Sequence, residues 1–330
     1  MEKKILVTGG AGYIGSHVVK DLLKRGYQVI VIDNLEKGHR SAVKTPYFYN
    51  IDLRDKKKLA DFFSSNKIIG VLHFAAASLV GESMTNPYKY FENNILGGLN
   101  LLDCMVRNDV KYIIFSSTAA VYGEPIEIPI KEDHPTVPTS VYGASKLMFE
   151  DILKWYDRIY GVKFISLRYF NAAGADPEGE LGEDHNPETH LIPLILKTAL
   201  GLREYIEIYG TDYPTPDGTC IRDYIHISDL SYAHILALEA LFNGKSSDYY
   251  NLGNSRGFSV KEVIRIAEKV VGRNIPVKEG PRRPGDPAVL IASSEKIKKD
   301  LGWEPKYKEL EDIIKTAWNW FKNHPNGYSD

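Results

Sequence analysis

The chain has 330 residues, of which 43% are hydrophobic and 25% are charged, and its formal net charge at pH 7 is -2. This is the composition of an ordinary globular protein, and the lack of a basic excess argues against a nucleic-acid or membrane partner. Cys104 and Cys220 lie far apart and form no Cys/His cluster, so we expect neither a disulfide framework nor a metal site. The first apolar run ends at Thr8 and is too short for a signal segment, which favours a cytoplasmic location.

The first half of the chain predicts alternating strands and helices. Residues 15–24 have apolar side chains at helical spacing. Short apolar runs typical of buried strands cover residues 4–7, 28–32, 47–51, 70–74, 111–115 and 163–169. This alternation predicts an α/β fold, a doubly wound parallel sheet of the Rossmann type with helices on both faces.

The second half has a different texture. Residues 175–187 and 211–218 are rich in Gly, Pro and acidic side chains and predict loops. We therefore expect a dinucleotide-binding Rossmann domain over residues 1–170 and a smaller, mixed α/β substrate domain mainly over residues 171–330. The apolar periodicity of residues 222–239 suggests that the chain returns to the first domain over about 222–252.

A glycine-rich turn follows the first predicted strand and opens the first predicted helix. Gly9, Gly12 and Gly15 are spaced as G-x-x-G-x-x-G. Gly9 permits a tight turn, Gly12 lets the backbone approach a pyrophosphate, and Gly15 lets the helix lie close to the sheet. The helix N-terminus offers N–H groups to phosphate. A turn that binds nothing is the alternative, but the strand–turn–helix context favours a dinucleotide.

Two aspartates follow the next strands. Asp33 ends the second strand, where a carboxylate can accept hydrogen bonds from ribose hydroxyls and repel a 2′-phosphate, so NAD is favoured over NADP. The nearby Lys37, His39 and Arg40 oppose that preference, and an Asp that only caps a turn is the alternative. For Asp52, contact with the adenine edge and N-capping of the helix that follows are equally good interpretations.

Tyr142 and Lys146 are four residues apart and share one face of a predicted helix. A tyrosine with a pKa near ~10 needs roughly 4 kcal/mol of differential stabilisation to act as a base at pH 7. We expect the lysine ammonium, together with a cationic nicotinamide, to supply it. Thr118 follows a buried strand, and a hydroxyl at that strand end faces the ligand crevice. An exposed Tyr/Lys pair without a catalytic role is the alternative.

These stretches resemble the extended short-chain dehydrogenase/reductase family over essentially the whole chain, and within it the nucleotide-sugar 4-epimerases. The motifs that carry the resemblance are residues 7–17, 33–35, 73–83, 115–123, 142–146, 168–174, 210–229 and 282–288. The resemblance implies that Tyr142 is the catalytic base, that Lys146 is its electrostatic partner, and that Thr118 is the catalytic hydroxyl. It also implies an NAD pocket that includes Tyr13, Ile14, Asn34, Leu53, Phe74, Ala75, Ala76, Asn93, Ser116 and Tyr169.

The resemblance also implies residues for a UDP-sugar substrate: Asn171, Arg222, Tyr224, Arg283, Asp286 and Leu290. Guanidinium groups suit phosphate, although either arginine alone would ordinarily be a surface ion pair. Ser78 stands where some relatives place a lysine near the phosphates. Leu290 stands where some relatives have a bulky tyrosine, so we expect room for an N-acetyl group, with simple strand packing as the alternative.

The implied reaction inverts C4 of a UDP-hexose, interconverting UDP-galactose and UDP-glucose through a 4-keto sugar and NADH. A dehydratase is disfavoured because Ala119 and Ala120, rather than acidic residues, follow Thr118. UDP-uronate or UDP-pentose 4-epimerisation is the alternative reaction, and a catalytically silent NAD-binding regulator is the alternative without catalysis. The apolar helix after Tyr142, with Met148, Phe149, Ile152, Leu153, Trp155 and Tyr156, predicts a homodimer.

Overall fold

The computed structural model describes residues 4–283 and 285–330. The strands are β1 (Lys4–Thr8), β2 (Gln28–Asp33), β3 (Phe48–Asn50), β4 (Ile68–His73), β5 (Tyr112–Thr118), β6 (Lys163–Tyr169), β7 (Asn171–Ala173), β8 (Ile206–Tyr209), β9 (Ile221–His226), β10 (Asp248–Leu252), β11 (Gly257–Ser259), β12 (Val277–Gly280) and β13 (Val289–Leu290). The α-helices are α1 (Tyr13–Lys24), α2 (Lys56–Ser65), α3 (Val80–Ser83), α4 (Pro87–Tyr90), α5 (Gly97–Arg107), α6 (Val141–Tyr160), α7 (Leu191–Ala199), α8 (Ile227–Phe242), α9 (Val260–Val271), α10 (Glu295–Leu301) and α11 (Leu310–Asn323).

Seven strands form one sheet in the order β10-β6-β5-β4-β1-β2-β3. β1 runs parallel to both β2 and β4, β2 runs parallel to β3, and β4 runs parallel to β5. The chain thus winds in one direction from β1 to β3 and in the other from β4 onward, which is the doubly wound arrangement. The predicted fold class is confirmed.

The central strands are buried because their sequences are continuous apolar runs. In β1, Ile5, Leu6 and Val7 are completely buried, and no residue from Val29 to Ile32 in β2 is more than 1% exposed. A strand covered by helices on both faces has no solvent side, so the alternation of polar and apolar residues disappears. The carboxyl ends of β1, β2, β4 and β5 therefore emerge from a rigid, dry core.

Helix α6 is fixed at both ends by its sequence. The side chain of Ser140 accepts a hydrogen bond from the backbone N–H of Gly143, and Gly161 ends the helix at φ 68°. One face is anchored by Phe149, which is completely buried. A Cβ added at Gly98 of α5 would lie 2.2 Å from the Phe149 ring, so only glycine allows the two helices to approach this closely.

The chain divides into two compact units. The first unit comprises residues up to 124, 135–168 and 231–250, and the second comprises residues 125–134, 169–230 and 251–330. The first domain was expected to end at residue 170, and the first unit ends its second segment at residue 168. The segment 125–134 belongs to the second unit, and the chain returns to the first unit over residues 231–250 rather than about 222–252. The apolar segment 222–239 consists of the end of β9 and most of α8, which meet at residues 226 and 227.

The second unit is a mixed α/β structure with its own core. β9 pairs antiparallel with β11 and parallel with both β13 and β7, while β8 and β12 form a separate parallel pair. Helices α7, α9 and α11 supply Ile195, Val263 and Ile314, all completely buried. β9 is therefore the central strand on which neighbouring side chains of this unit are aligned.

Across residues 4–283 and 285–330, no helix combines the length and the apolar character that crossing a bilayer would require.

Candidate active site

The glycine turn has the geometry that its sequence predicts. Gly9 has φ 72°, and a Cβ there would lie 2.5 Å from the backbone nitrogen of Ala75. A Cβ on Gly15 would lie 2.2 Å from the carbonyl oxygen of Gly9, whereas one on Gly12 would meet nothing closer than 3.4 Å. Gly12 is the N-cap of α1, and the first turn of α1 carries no acidic residue. The turn can therefore receive an anionic group at the helix N-terminus.

Asp33, at the end of β2, stabilises the glycine turn through hydrogen bonds to the backbone. Its Oδ2 accepts a hydrogen bond from Ala11 N at 3.0 Å, and its Oδ1 accepts one from Leu35 N at 2.8 Å. Burial raises the pKa of Asp33, and these two backbone donors oppose that rise. The carboxylate thus has a structural partner on each oxygen, and each oxygen keeps a second lone pair for a ribose hydroxyl.

Asp52 does not cap the helix that follows it. The N-cap of α2 is Asp55, which accepts a hydrogen bond from Lys58 N, so the capping alternative for Asp52 is wrong. Asp52 instead forms an ion pair of 2.7 Å with Arg54 and accepts a hydrogen bond of 3.0 Å from the Asn34 amide. The Arg54 guanidinium holds the pKa of Asp52 well below its usual range.

The segment after β4 is hydrogen-bonded to the end of β1, next to the glycine turn. Thr8 O accepts hydrogen bonds from the backbone N–H groups of Phe74, at 2.9 Å, and Ala75, at 3.1 Å. Ala76 follows and is half-buried, as are Tyr13 and Ile14 in the first turn of α1. Leu53 lies elsewhere in the first unit, and its carbonyl accepts a hydrogen bond from the Asn100 amide at 3.0 Å.

A buried amide that the sequence did not single out lies next to Asn93. Asn94 is 4% exposed, and its side chain accepts a hydrogen bond from Ala77 N and donates to Ala77 O and to Ser145 Oγ. Asn93 itself is half-buried, with its amide 3.4 Å from that of Asn94. Both lie in a π-helical turn, Phe91–Leu96, which shifts the inward face from that of a regular helix.

The three residues expected to react lie together in the first unit. Thr118 ends β5, and its hydroxyl accepts a hydrogen bond from Ala120 N and forms another with Tyr142. Lys146 lies one turn after Tyr142 on α6, with its Nζ 5.9 Å from the centre of the Tyr142 ring. Lys146 Nζ donates to Ser116 O at 2.8 Å, so Ser116 contributes its carbonyl to the site by holding the lysine.

The ionisation of this pair differs from the sequence-based expectation. Burial raises the pKa of Tyr142 to about 12, against the hydrogen bond with Thr118, which lowers it. Burial lowers the pKa of Lys146 to about 7, against the charge of Glu150, which raises it. In the chain alone the lysine therefore loses its proton before the tyrosine does, and the expected lowering of the tyrosine pKa by the lysine charge is not found. The first proton leaves the pair near pH 7.

A buried ion pair between Glu150 and Arg168 lies one helical turn beyond Lys146, and it was not predicted from the sequence. Glu150 is completely buried and accepts hydrogen bonds from Arg168 Nε at 3.0 Å, from Arg168 Nη2 at 2.6 Å and from Ser117 Oγ at 2.6 Å. Arg168 also donates to the Tyr122 hydroxyl at 3.0 Å. The signal was available, because Glu150 continues the four-residue spacing of Tyr142 and Lys146 along one helix face.

In the second unit, β9 aligns several of the expected substrate residues. Arg222 Nη2 forms an ion pair of 2.7 Å with Asp286 Oδ1, and Arg222 is the register partner of Leu290 on β13. Further along β9, Tyr224 is the register partner of Asn171 on β7. Burial raises the pKa of Tyr224, so its hydroxyl remains protonated.

The remaining expected residues lie in other parts of the second unit. The guanidinium of Arg283 lies 4.0 Å from the centre of the Tyr209 ring, and the backbone carbonyl of Arg283 accepts a hydrogen bond from Asp286 N at 3.4 Å. Tyr169 ends β6 and is 8% exposed. Asp286, Arg222 and Leu290 thus form one group, which the backbone of Arg283 joins through Asp286, and Tyr224 and Asn171 form a second.

Known proteins match this chain along nearly its whole length. The model of the NAD dependent epimerase/dehydratase family matches residues 5–253. A UDP-glucose 4-epimerase of Halalkalibacterium halodurans is 57% identical over 325 residues, which cover 98% of this chain and 97% of the relative. A crystal structure of UDP-glucose 4-epimerase has a TM-score of 0.97 and 53% identity, covering 99% of this chain and 100% of that chain. The enzyme from Bifidobacterium longum, solved in complex with NAD⁺ and UDP, has a TM-score of 0.93 and 40% identity, covering 98% and 100%.

The doubly wound sheet and the Tyr142–Lys146 pair define an extended short-chain dehydrogenase/reductase, which confirms the resemblance seen in the sequence. Within that class the chain belongs to the NAD dependent epimerase/dehydratase family. It is an NAD-dependent enzyme. The open Gly12 position and the uncharged first turn of α1 fit that cofactor.

Proposed function

We propose that the chain is a UDP-hexose 4-epimerase that interconverts UDP-galactose and UDP-glucose. The observation that carries the proposal is the Thr118–Tyr142–Lys146 arrangement, because it offers one buried phenol, a hydroxyl bonded to it and a lysine one helical turn away. The substrate is taken from the relatives, which act as UDP-glucose 4-epimerases at up to 57% identity.

In this proposal the chain moves one proton. Tyr142 Oη accepts the proton of the sugar 4-hydroxyl and later returns it to the C4 oxygen, after the 4-keto sugar has presented its other face, so that C4 is inverted. Thr118 forms a hydrogen bond with the phenol and orients it. Ser116 O holds the Lys146 ammonium group, whose proton stabilises the phenolate. NAD, when bound, supplies the acceptor and donor of the two electrons. Burial of Tyr142 and Lys146 keeps water from the ketone.

The cofactor is assigned to residues of the first unit and to Tyr169, the residue next after the segment 135–168 of that unit. Gly9, Gly12, Tyr13, Ile14 and Gly15 hold the pyrophosphate at the N-terminus of α1. Asp33 and Asn34 bind the adenosine ribose, with Asp33 fixed by its two backbone donors. Further cofactor contacts come from Asp52, Leu53, Phe74, Ala75, Ala76, Asn93, Ser116, Tyr142, Lys146 and Tyr169.

The UDP portion is assigned to β9 and its neighbours. Asp286 fixes the Arg222 fork at 2.7 Å, which leaves a rigid guanidinium for phosphate or ribose oxygens. Asn171, Tyr224 and Arg283 add polar contacts. Leu290, beside Arg222 in register, borders the sugar C2 substituent, and its small apolar side chain extends the substrate range to UDP-N-acetylhexosamines.

We also infer a cytoplasmic homodimer formed through α6. Not all of the apolar residues predicted at the dimer contact are exposed. Phe149 and Leu153 are completely buried within the chain, whereas Met148 and Trp155 are 45% and 58% exposed and remain available for the contact. Ile159 extends the exposed stripe at 63%. Such an apolar stripe on one helix is typical of a contact with a second copy. The two cysteines are both free and buried, as suits a reducing compartment.

The test is the conversion of UDP-galactose, followed by proton NMR of the sugar, with no NAD added to the purified protein. We expect UDP-glucose to form, and the Tyr142→Phe variant to be about 10²–10⁴ times slower because it lacks the base. Tyr160→Phe, on the same helix but 47% exposed, is the matched control and keeps wild-type activity. No conversion by the wild type, even after NAD is added, would rule out UDP-galactose and favour UDP-uronate or UDP-pentose substrates.

A further inference from the structure

A second cluster of titratable side chains lies in the second unit, on the segment between β7 and α7. Glu183, His185, Glu188 and His190 each direct one donor atom to a common point, and these atoms all lie within 4.8 Å of one another. The proposed reaction uses none of the four residues. These four residues were not predicted from the sequence, because metal ligands were considered only in relation to the two cysteines.

The spacing of the donors suits a small metal ion. His185 Nδ1 lies 3.2 Å from Glu183 Oε1 and 3.7 Å from Glu188 Oε2. His190 Nδ1 lies 2.7 Å from Glu183 Oε1 and 3.1 Å from Glu188 Oε1. Four ligands about 2.0–2.2 Å from a zinc ion at tetrahedral angles would lie about 3.3–3.6 Å apart. Three of the four distances are within about 0.2 Å of this range, and the 2.7 Å between His190 Nδ1 and Glu183 Oε1 would have to lengthen by about 0.6 Å on metal binding.

The buried carboxylates provide a second, independent observation. Glu183 is 3% exposed, and its Oε1 has no hydrogen-bond partner of acceptable geometry within the described part of the chain. The same holds for Oε2 of Glu188, whose side chain is 4% exposed. His190 Nδ1 lies between the two carboxylates, hydrogen-bonded to Glu188 Oε1 at 3.1 Å and 2.7 Å from Glu183 Oε1 without hydrogen-bond geometry, so the nitrogen and Glu183 Oε1 face a shared centre. Buried carboxylates in this state require a cation.

The backbone around the cluster is held in place by other residues. Glu188 Oε1 accepts hydrogen bonds from the backbone N–H groups of Thr189 at 2.8 Å and His190 at 2.9 Å, which fixes that carboxylate. Gly182 N donates to the Tyr328 hydroxyl at 3.0 Å. A Cβ on Gly182 would lie 2.2 Å from the Trp320 ring, so the segment lies directly against α11. The donors are thus preorganised.

We propose that Glu183, His185, Glu188 and His190 bind one divalent transition-metal ion, for which zinc is the best match. Two neutral imidazoles and two carboxylates carry a charge of minus two, which a divalent ion neutralises. Imidazole ligands favour zinc over magnesium or calcium, which prefer oxygen alone. Because protein atoms supply all four positions, the ion is structural and fixes residues 183–190 at the start of α7. This proposal does not depend on the identity of the sugar substrate.

The test measures metal binding directly. The full-length, tag-free protein is stripped with a chelator, loaded with zinc chloride and gel-filtered, and its zinc content is measured by mass spectrometry. We expect one zinc per chain, a higher unfolding temperature with zinc than without it, and no displacement by excess magnesium. Cobalt substituted for zinc should give the intense visible absorption of a tetrahedral site.

The variants separate this site from other acidic groups. His190→Gln, at a half-exposed position, and Glu188→Gln should each weaken zinc binding by more than about tenfold. Glu204→Gln is the matched control, since Glu204 is an exposed carboxylate of the same unit outside both groups of side chains that could hold a metal ion, and it should bind zinc as the wild type does.

Three results would overturn the proposal: no zinc retained at micromolar concentration, equal zinc binding by the wild type and His190→Gln, or an equal loss in Glu204→Gln. In the first case the neutralising charges are protons. Burial lowers and the two glutamates raise the pKa of both histidines, with the net result near 9 for His185 and near 10 for His190.

Discussion

Glu150 lies one helical turn beyond Lys146 on α6, completely buried, and its charge opposes the loss of the lysine proton. Arg168 holds the same carboxylate at 2.6 Å and competes for its charge. Lys146 therefore lies near a carboxylate whose charge is largely taken up by an arginine. Burial is the larger influence on the pKa of Lys146, and the charge of Glu150 shifts it in the opposite direction, so this relationship can be tested by removing either Glu150 or Arg168.

The Glu150→Gln and Arg168→Met variants should move the pH profile in opposite directions. The productive form of the pair has lost one proton and keeps the other on Lys146, so kcat/KM rises with pH through the first loss, near 7. Removing the Glu150 charge lowers the pKa of Lys146, so the rising limb moves to lower pH and the plateau falls. Removing Arg168 leaves the Glu150 charge unopposed, so the limb moves to higher pH.

Both variants lose stability, by about 3–5 kcal/mol, because each leaves a buried charge alone. Urea unfolding measures this loss and identifies the conditions in which both remain folded. A purely structural role for Glu150 predicts two profiles shifted in the same direction or not shifted at all, and that result would contradict the electrostatic role.

Lys146→Met tests the lysine itself. Without the lysine, Tyr142 must lose its proton alone, and burial raises its pKa to about 12. The rising limb of kcat/KM should therefore move from near 7 far into the alkaline range, and activity at pH 7 should fall by about two orders of magnitude or more. The comparison is with Tyr142→Phe, which has no base and should show no rising limb. A rising limb that remains near 7 in Lys146→Met would assign that ionisation to another group.

The sheet and the residues of the candidate site could be predicted from the sequence, because both depend on local signals. Continuous apolar runs mark strands buried on two faces, and Gly9, Gly15, Tyr142 and Lys146 have spacings set by one turn or one helix. The pairing of Arg222 with Asp286 could not be read from the chain, because the two residues are 64 positions apart and meet only through the tertiary fold.

Two local features that the sequence does not reveal have specific physical causes. The π-helical turn Phe91–Leu96 buries the amide of Asn94 beside the predicted cofactor residue Asn93, which a regular helical period does not indicate. The pKa of Tyr142 was judged from its charged neighbours, whereas in the structure burial is the larger influence. The spacing E-x-H-x-x-E-x-H from Glu183 to His190 was visible in the sequence, but only the structure brings the donors to one point.

Asp223→Asn should be among the most destabilising single changes in the second unit. Asp223 is completely buried on β9, and its Oδ1 accepts a hydrogen bond from Asn254 N at 2.8 Å. Its Oδ2 accepts hydrogen bonds from Ser255 N at 3.0 Å and Ala292 N at 3.1 Å. An asparagine turns an NH₂ group toward at least one of these donors, which costs about 2–4 kcal/mol in the free energy of unfolding.

Urea unfolding at pH 8 measures the effect of Asp223→Asn. Asp151→Asn is the matched control, because Asp151 is exposed and its ion pair with Lys154 lies at the surface, so it should change the unfolding free energy by less than about 0.5 kcal/mol. Equal midpoints and slopes for the two variants would mean that the three backbone donors find other acceptors.

Trp155→Glu should dissociate the proposed dimer. The side chain is 58% exposed on the same stripe of α6 as Met148 and Ile159, and a charge there cannot be buried against a second copy. Light scattering should give about twice 37.2 kDa for the wild type and a monomer for the variant at micromolar concentration. Leu202→Glu, at a position 51% exposed in the second unit, controls for added charge and should remain dimeric. A monomeric wild type would refute the dimer.

Leu290→Tyr should narrow the substrate range. Leu290 is half-buried on β13, next to Arg222 in register, and a larger ring there occupies the space assigned to the C2 substituent. We expect turnover of UDP-N-acetylglucosamine to fall by more than about tenfold, while UDP-galactose keeps most of its kcat/KM. Val289→Tyr is the matched control, because successive side chains of a strand point to opposite faces and the same ring is then added on the other side. Parallel losses for both substrates in Leu290→Tyr, or the same selectivity change in Val289→Tyr, would show that Leu290 only contributes to strand packing. A wild type that converts UDP-galactose but not UDP-N-acetylglucosamine would show that a different residue limits the pocket.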